Sequence, residues 1–140
     1  MVKDKKEMKK ITKITVKNYP IGDFLIRLKN CVRAGKKEVV VDNTKLIESV
    51  AKTLKSMGYL SNVEKEGGIL KVNLVYKSKM PILSDIILVS KPSNRVYISS
   101  EEIKKVRSPY MMILTTTSGI MSGGDAVKKN LGGEVIAKVL

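Results

Sequence analysis

Between Asp42 and Gly58 the apolar residues Leu46, Ile47, Val50, Ala51, Leu54 and Met57 return at the spacing of one helix face. Asp42, Asn43 or Thr44 stands where a cap is needed, and Gly58 ends the pattern. A helix with one apolar stripe has to bury it, and the neighbouring segments offer partners. Upstream, Glu38-Val39-Val40-Val41-Asp42 is a β-branched run that reads as a buried strand. Before it, Ile21, Phe24, Leu25, Leu28 and Cys31 fall on one face of an earlier helix whose first turn suits Pro20. Downstream, residues 59–65 and 69–76 flank Glu66-Gly67-Gly68, and Leu70, Val72, Leu74 and Tyr76 alternate as in a hairpin with one buried face. The first half reads α-β-α-β-β.

Residues 77–84, with Lys79 and Pro81, read as a linker between subdomains 18–76 and 85–140. Beyond it, 85–90 and 95–98 are strand candidates around the turn-forming Lys91-Pro92-Ser93-Asn94. Ser99 and Glu102 form a capping box for a short helix over Ser100–Lys105, which Ser108-Pro109 must end. Residues 110–116 read as a strand, 117–130 as an irregular loop with room for one helical turn, and 134–140 as the last strand. The fold class is α+β, an N-terminal α-β-α-β-β subdomain followed by a mostly antiparallel β subdomain with a short helix. A chain of 140 residues can bury roughly two thirds of its unfolded surface, enough for a real core.

Charge sets the partners. Lysine and arginine number 27 against 13 acids, a net charge of +14. Residues 1–17 hold seven lysines with Asp4 and Glu7 and little apolar content, the pattern of a basic flexible arm that serves as a solubilising tail or touches a polyanion. The rest keeps 20 basic against 11 acidic residues, so the folded body is basic too. Arg27, Lys29, Arg33, Lys36 and Lys37 cluster around the first helix, and Lys45, Lys52 and Lys55 lie on the polar side of the second. Any one of these is an ordinary solvated side chain; the summed excess points to nucleic acid. Five tyrosines and one phenylalanine are too few for a single-strand stacking platform, and a folded RNA read by shape and hydroxyl contacts fits better.

Other classes are disfavoured. No apolar stretch approaches the ~20 residues of a bilayer span, and the start of the chain lacks the apolar run of a secretory signal, so an intracellular protein without a membrane partner is expected. The single Cys31 makes no internal disulfide, in keeping with a reducing compartment, and reads as a small core residue rather than a reactive thiol. With no histidine and one thiol, zinc has no ligand set and the commonest general base is missing. Gly119, Gly123 and Gly124 are not followed by the Lys-Ser or Lys-Thr of a phosphate-binding loop. Glu101-Glu102 sits in a first helical turn, where it offsets the dipole. No catalytic residue, metal or cofactor is expected, and the chain is not expected to be an enzyme.

The most informative segment is Thr115-Thr116-Thr117-Ser118-Gly119-Ile120-Met121, in which hydroxyls leave a strand and enter a glycine-rich turn. Side-chain oxygens and backbone amides presented at one edge suit base rims, ribose hydroxyls and phosphates. The plain alternative is a polar loop with small residues for tight turning. Together with Ile21-Gly22-Asp23-Phe24-Leu25-Ile26-Arg27-Leu28-Lys29-Asn30, Lys91-Pro92-Ser93-Asn94-Arg95-Val96-Tyr97 and Leu131-Gly132-Gly133-Glu134-Val135-Ile136, in this order, the segment makes the chain from about Tyr19 onward resemble the small-subunit ribosomal protein eight family.

That resemblance implies a two-part protein gripping an irregular stem in the central domain of small-subunit ribosomal RNA and supporting subunit assembly. It implies that Thr115, Thr116, Thr117, Ser118 and Gly119 enter the minor-groove side of the stem, with Glu134 and Tyr97 near the RNA surface and Lys45 on the backbone. Tyr97 has core packing as its rival role. Lys91, Arg95 and Arg27 complete the expected RNA-binding set. Partners would be the ribosomal RNA, neighbouring small-subunit proteins and the messenger RNA of its own operon, in a cytoplasmic, ribosome-bound protein. The chain departs from the family in carrying Thr115-Thr116-Thr117 for the usual Ser-Thr-Ser. It also has Tyr19-Pro20 for the usual Asp-Pro, which moves a side-chain cap to Asn18 or loses it. The reading from another class is a charge-driven DNA-binding or chromatin-like module.

Overall fold

The computed structural model of the chain describes residues 19–106 and 108–140; the expected lysine arm and Asn18 cap lie outside the described residues. Helix α1 (Pro20–Arg33) starts with proline in its first turn, where a missing amide is no loss, and buries Phe24, Leu25, Leu28 and Cys31. The Cys31 thiol donates to the carbonyls of Lys36 and Glu38, and burial pushes its pKa up, as suits a core residue. Strand β1 (Glu38–Asp42) follows, with Val39 and Val41 inward. Of the three cap candidates Thr44 is used: its hydroxyl accepts the Ile47 amide at 3.2 Å at the start of α2 (Lys45–Ser56).

Helix α2 buries Ile47, Val50, Ala51 and Leu54, whereas Leu46, expected on the same face, is 54% exposed. One helical step turns Leu46 about 100° away from Ile47, outside the stripe. The hairpin of β2 (Leu60–Glu66) and β3 (Ile69–Leu74) pairs with β1 in an antiparallel sheet of order β1-β3-β2. Strand β3 stops at Leu74, short of the expected Tyr76, which pairs instead with Pro81 outside the first sheet. Across the expected linker, β4 (Tyr76–Lys77) and β5 (Met80–Pro81) form a small ribbon, and Leu83 enters the core.

The second sheet is organised around its last strand. Strand β10 (Gly133–Val139) pairs with β8 (Met111–Thr116) on one edge, and with β6 (Ile86–Leu88) and β7 (Tyr97–Ile98) end to end on the other. The strands expected over 85–90 and 95–98 are shorter than their patterns because the chain loops out between Ser90 and Val96. Helix α3 (Ser100–Lys105) has the expected capping box, the Ser99 hydroxyl accepting the Glu102 amide at 3.2 Å, and ends at Lys105, before Ser108-Pro109.

The irregular loop expected over 117–130 is instead a strand, β9 (Gly119–Ser122), and a helix, α4 (Gly123–Lys128). Strand β9 folds back on β8, Met121 facing Leu114 across the pair, and the Ser122 hydroxyl accepts the Asp125 amide at 3.3 Å to cap α4. Gly123-Gly124 has poor helix propensity, and tertiary packing overrides it: Gly123 lies against Ile103 and Met112.

The second sheet is covered on both faces. Ile113, Ile136 and Val139 join Leu83, Ile86 and the buried stripes of α1 and α2 in one core, while Met112, Leu114, Met121 and Val135 pack with Ile103 and Ala126 in another. Asp85 fastens this arrangement at the surface. Its carboxylate accepts the Ile86 amide at 2.9 Å and the Tyr110 hydroxyl at 3.2 Å, and pairs with the Lys29 ammonium at 3.2 Å. The bond from Lys29 holds the carboxyl below its usual pKa. A carboxylate lowered in the fold contributes stability above its unfolded pKa of about 3.9, and that contribution is lost as pH falls through the lower folded value. Asp85→Asn should therefore remove a small part of the stability at neutral pH and flatten the acid limb of a thermal-melt series below about pH 4.

Candidate nucleic-acid interface

Thr115 and Thr116 close β8, Thr117 and Ser118 form the turn, and Gly119 opens β9 directly opposite Thr116. Gly119 stands at φ +111°, a region side chains avoid, which lets a short turn rejoin a twisted strand pair. The Thr116 hydroxyl donates to the Gly119 carbonyl at 2.8 Å and accepts the Ser118 amide at 3.1 Å, so it is spent on the turn itself. Thr117 and Ser118 are exposed at the tip, with Thr115 half-buried behind them.

The register of the sheet carries this edge further. Tyr97 faces Glu134 across β7 and β10, and Glu134 faces Thr115 across β10 and β8. Opposed residues in neighbouring strands project on the same side, so Tyr97, Glu134 and Thr115 form one row across three strands. Tyr97 is 69% exposed, which rules out its core-packing role. Gly133 makes the row possible, because a Cβ there would run into the Thr115 carbonyl.

Arg95 is held beside the row. Its Nη1 donates to Glu134 Oε2 at 3.0 Å, a bond that keeps the guanidinium more firmly protonated, and its Cζ lies 5.6 Å from the centre of the Tyr19 ring. Wholly buried Ser90 shapes the loop that delivers it, its hydroxyl accepting the Val96 amide at 2.9 Å. Between these anchors residues 91–95 leave the sheet, and the turn is closed by reciprocal 2.9 Å bonds between Lys91 and Asn94. Lys91 and Arg95 are thereby pushed into solvent at the sheet edge.

The N-terminal half contributes a second wall. Lys45, Ser49, Lys52 and Ser56 follow one another at spacings of four, three and four along α2 and share one face. Ser49, Lys52, Thr53 and Ser56 line a groove of about 360 Å³ with Gly119, Ile120 and Asp125. The Thr53 hydroxyl reaches the Ile120 carbonyl at 3.3 Å and fixes the helix against β9. Lys45 is thus at the far end of a stripe that finishes beside the threonine turn. Arg27 is elsewhere: its Nε pairs with Asp23 at 3.0 Å in a separate groove with Val40, Asp42, Thr44 and Ile47. Among the described residues no hydrogen bond or ion pair ties Arg27 to the turn.

Sequence reasoning missed three members of this surface. Ser49 and Ser56 belong to a spacing that was open to inspection in α2, but serines on a helix carry no signal until a partner strand lies beside them. Tyr19 meets Ser90, 71 residues away, and no local pattern announces such a contact. Among the described residues no cluster of acidic or cysteine side chains could hold a metal, and no helix is long and apolar enough to cross a membrane.

A family profile described as Ribosomal protein S8 matches residues 19–140. The chain belongs to the ribosomal protein S8 family. It is similar to the small ribosomal subunit protein uS8 of Nitratidesulfovibrio vulgaris (strain DP4), 40% identical over 121 residues that cover 86% of this chain and 96% of that protein. The uS8 protein of Mycoplasmopsis synoviae (strain 53) is 40% identical over 124 residues, covering 84% and 94% respectively. That of Kosmotoga olearia is 37% identical over 129 residues, covering 86% and 96%. The ribosomal protein S8 profile spans the whole described fold, so every residue of the row, the turn and the α2 stripe lies inside the family match.

Proposed function

We propose that the chain binds directly to a stem in the central domain of small-subunit ribosomal RNA and supports the folding of that domain during subunit assembly. As a member of the ribosomal protein S8 family it is a structural, non-enzymatic component of the small ribosomal subunit, ribosome-bound in the cytoplasm. The observation that carries the RNA assignment is the row Tyr97–Glu134–Thr115 running into a hydroxyl-bearing turn, with the lysines of α2 alongside.

Phosphate contacts position a protein on a nucleic acid, and contacts to sugars and base edges choose the site. The wide, shallow minor groove of an RNA helix displays ribose hydroxyls, within reach of short oxygen-bearing side chains. The hydroxyls of Thr117 and Ser118 can each donate and accept there, and Glu134 can only accept. Arg95 has five N–H donors, and the bond to Glu134 leaves others for phosphate. Lys45, Lys52 and Lys91 supply the sequence-independent part of the affinity. Neighbouring small-subunit proteins are its other partners, and a messenger RNA of its own operon with a similar stem would occupy the same surface.

Titration of the cognate stem, a random duplex and heparin across a salt series tests this. A shaped site keeps a preference of about 4 kcal/mol or more for the stem over random duplex. Equal affinity for stem and heparin at every salt concentration would mean that binding is driven by charge alone and would remove the shaped RNA site. Thr117→Ala should cost about 1–3 kcal/mol of stem binding by leaving an RNA partner unsatisfied, with Thr117→Ser close to the parent. An unchanged dissociation constant for Thr117→Ala would remove the turn from the site.

A further inference from the structure

We infer that Tyr19 is a positioning residue of the RNA interface, a strap across the mouth of the 91–95 loop that fixes the Arg95 guanidinium beside Glu134. The inference rests on the RNA assignment of that cluster. Tyr19 occupies the N-cap position of α1 without making a side-chain cap, so its side chain is free for another task. The ring lies over Gly22, where a Cβ would meet its Cδ2 and Cε2 atoms. From there it touches both ends of the loop. Its hydroxyl donates to the carbonyl of Ser90, the last residue before the loop, at 2.8 Å. Its ring face receives the guanidinium of Arg95, the last residue within it, at 5.6 Å.

These contacts make a chain of support from helix α1 to the row. Gly22 admits the ring, the ring holds Ser90 and Arg95, and Arg95 holds Glu134 at 3.0 Å. The ring is half-buried and burial pushes its phenol pKa up, so it stays a neutral hydrogen-bond donor. A surface arginine otherwise spreads over many rotamers, and ordering it on binding costs affinity. Held between an aromatic face and a carboxylate, Arg95 is already ordered before the RNA arrives.

A double-mutant cycle on the full-length protein tests this, with binding to a transcript of the small-subunit central domain as one measurement and the Arg95 side-chain N–H resonance as the other. Tyr19→Leu should weaken binding by about two- to fivefold, the range of an exposed cation–π contact, and should shift or broaden the Arg95 resonance. In an Arg95→Ala background the same replacement should change nothing further. Tyr19→Phe keeps the ring and loses only the bond to Ser90, so it should fold even if Tyr19→Leu does not, and should show about half of the loss, again only when Arg95 is present. Equal losses with and without Arg95, or no loss from either Tyr19 variant while Arg95→Ala binds poorly, would overturn the inference alone. Parent-like binding by Arg95→Ala would instead overturn the RNA assignment of the cluster.

Discussion

Gly133→Ala is expected to lower the urea midpoint steeply, and Gly133→Val to abolish the cooperative transition. Any Cβ at position 133 would enter the space of the Thr115 carbonyl on β8, and the atom in the way is main chain. A side chain could rotate aside; a strand must move as a unit. Overpacking against side chains costs about 1–3 kcal/mol, so about 3 kcal/mol is a floor where backbone has to yield. That is a large share of the 5–15 kcal/mol typical of a domain. The consequence spreads because β10 serves β6, β7 and β8 together. A Gly133→Ala protein within about 0.5 kcal/mol of the parent, the spread of an innocuous surface change, would show that β10 and β8 do not cross so closely.

The largest expected effect on binding comes from replacing Lys45 and Lys52 together by glutamine. Each phosphate contact adds about 0.9 to the slope of log affinity against log salt. Losing two should weaken stem binding about two-hundredfold at 50 mM salt and about thirtyfold at 150 mM, with the slope falling by nearly two. Preference for the stem over random duplex should not change, because phosphates carry no sequence information. Lys52 gives up little inside the fold, since its contact with Glu48 is 3.8 Å long and its side chain is 68% exposed. A slope unaltered in the double variant would take the α2 stripe out of the interface.

The fold was legible wherever one period governed a segment. Helices α1 and α2, strand β1, the β2–β3 hairpin and the capping box of α3 each follow from spacing and a cap. The segment after Thr116 was not legible. Gly123-Gly124 reads as a break, and only the packing of Gly123 on Ile103 and Met112 turns it into the start of a helix. Leu46 misled because composition counts it as apolar, while geometry puts it one step outside the stripe. For the candidate site, the hydroxyl run and the basic excess were visible in the chain. The joining of Tyr97, Glu134 and Thr115 was not, since strand register joins residues 134 and 97 through pairing that no local window contains.

Strand β10 has a further consequence, one of timing. It is the last described strand to emerge during synthesis, yet it lies in the middle of its sheet. Until it arrives, β6, β7 and β8 lack their common neighbour, Glu134 is missing, and the loop bearing Arg95 has lost the backbone bond from Ser90 to Val135. On the proposed reading, a nascent polypeptide can therefore carry Lys29 of α1 and the lysines of α2 before it is able to choose its RNA. On the same reading selectivity depends on β10, so a chain from which β10 is missing is expected to keep its charge and lose its discrimination.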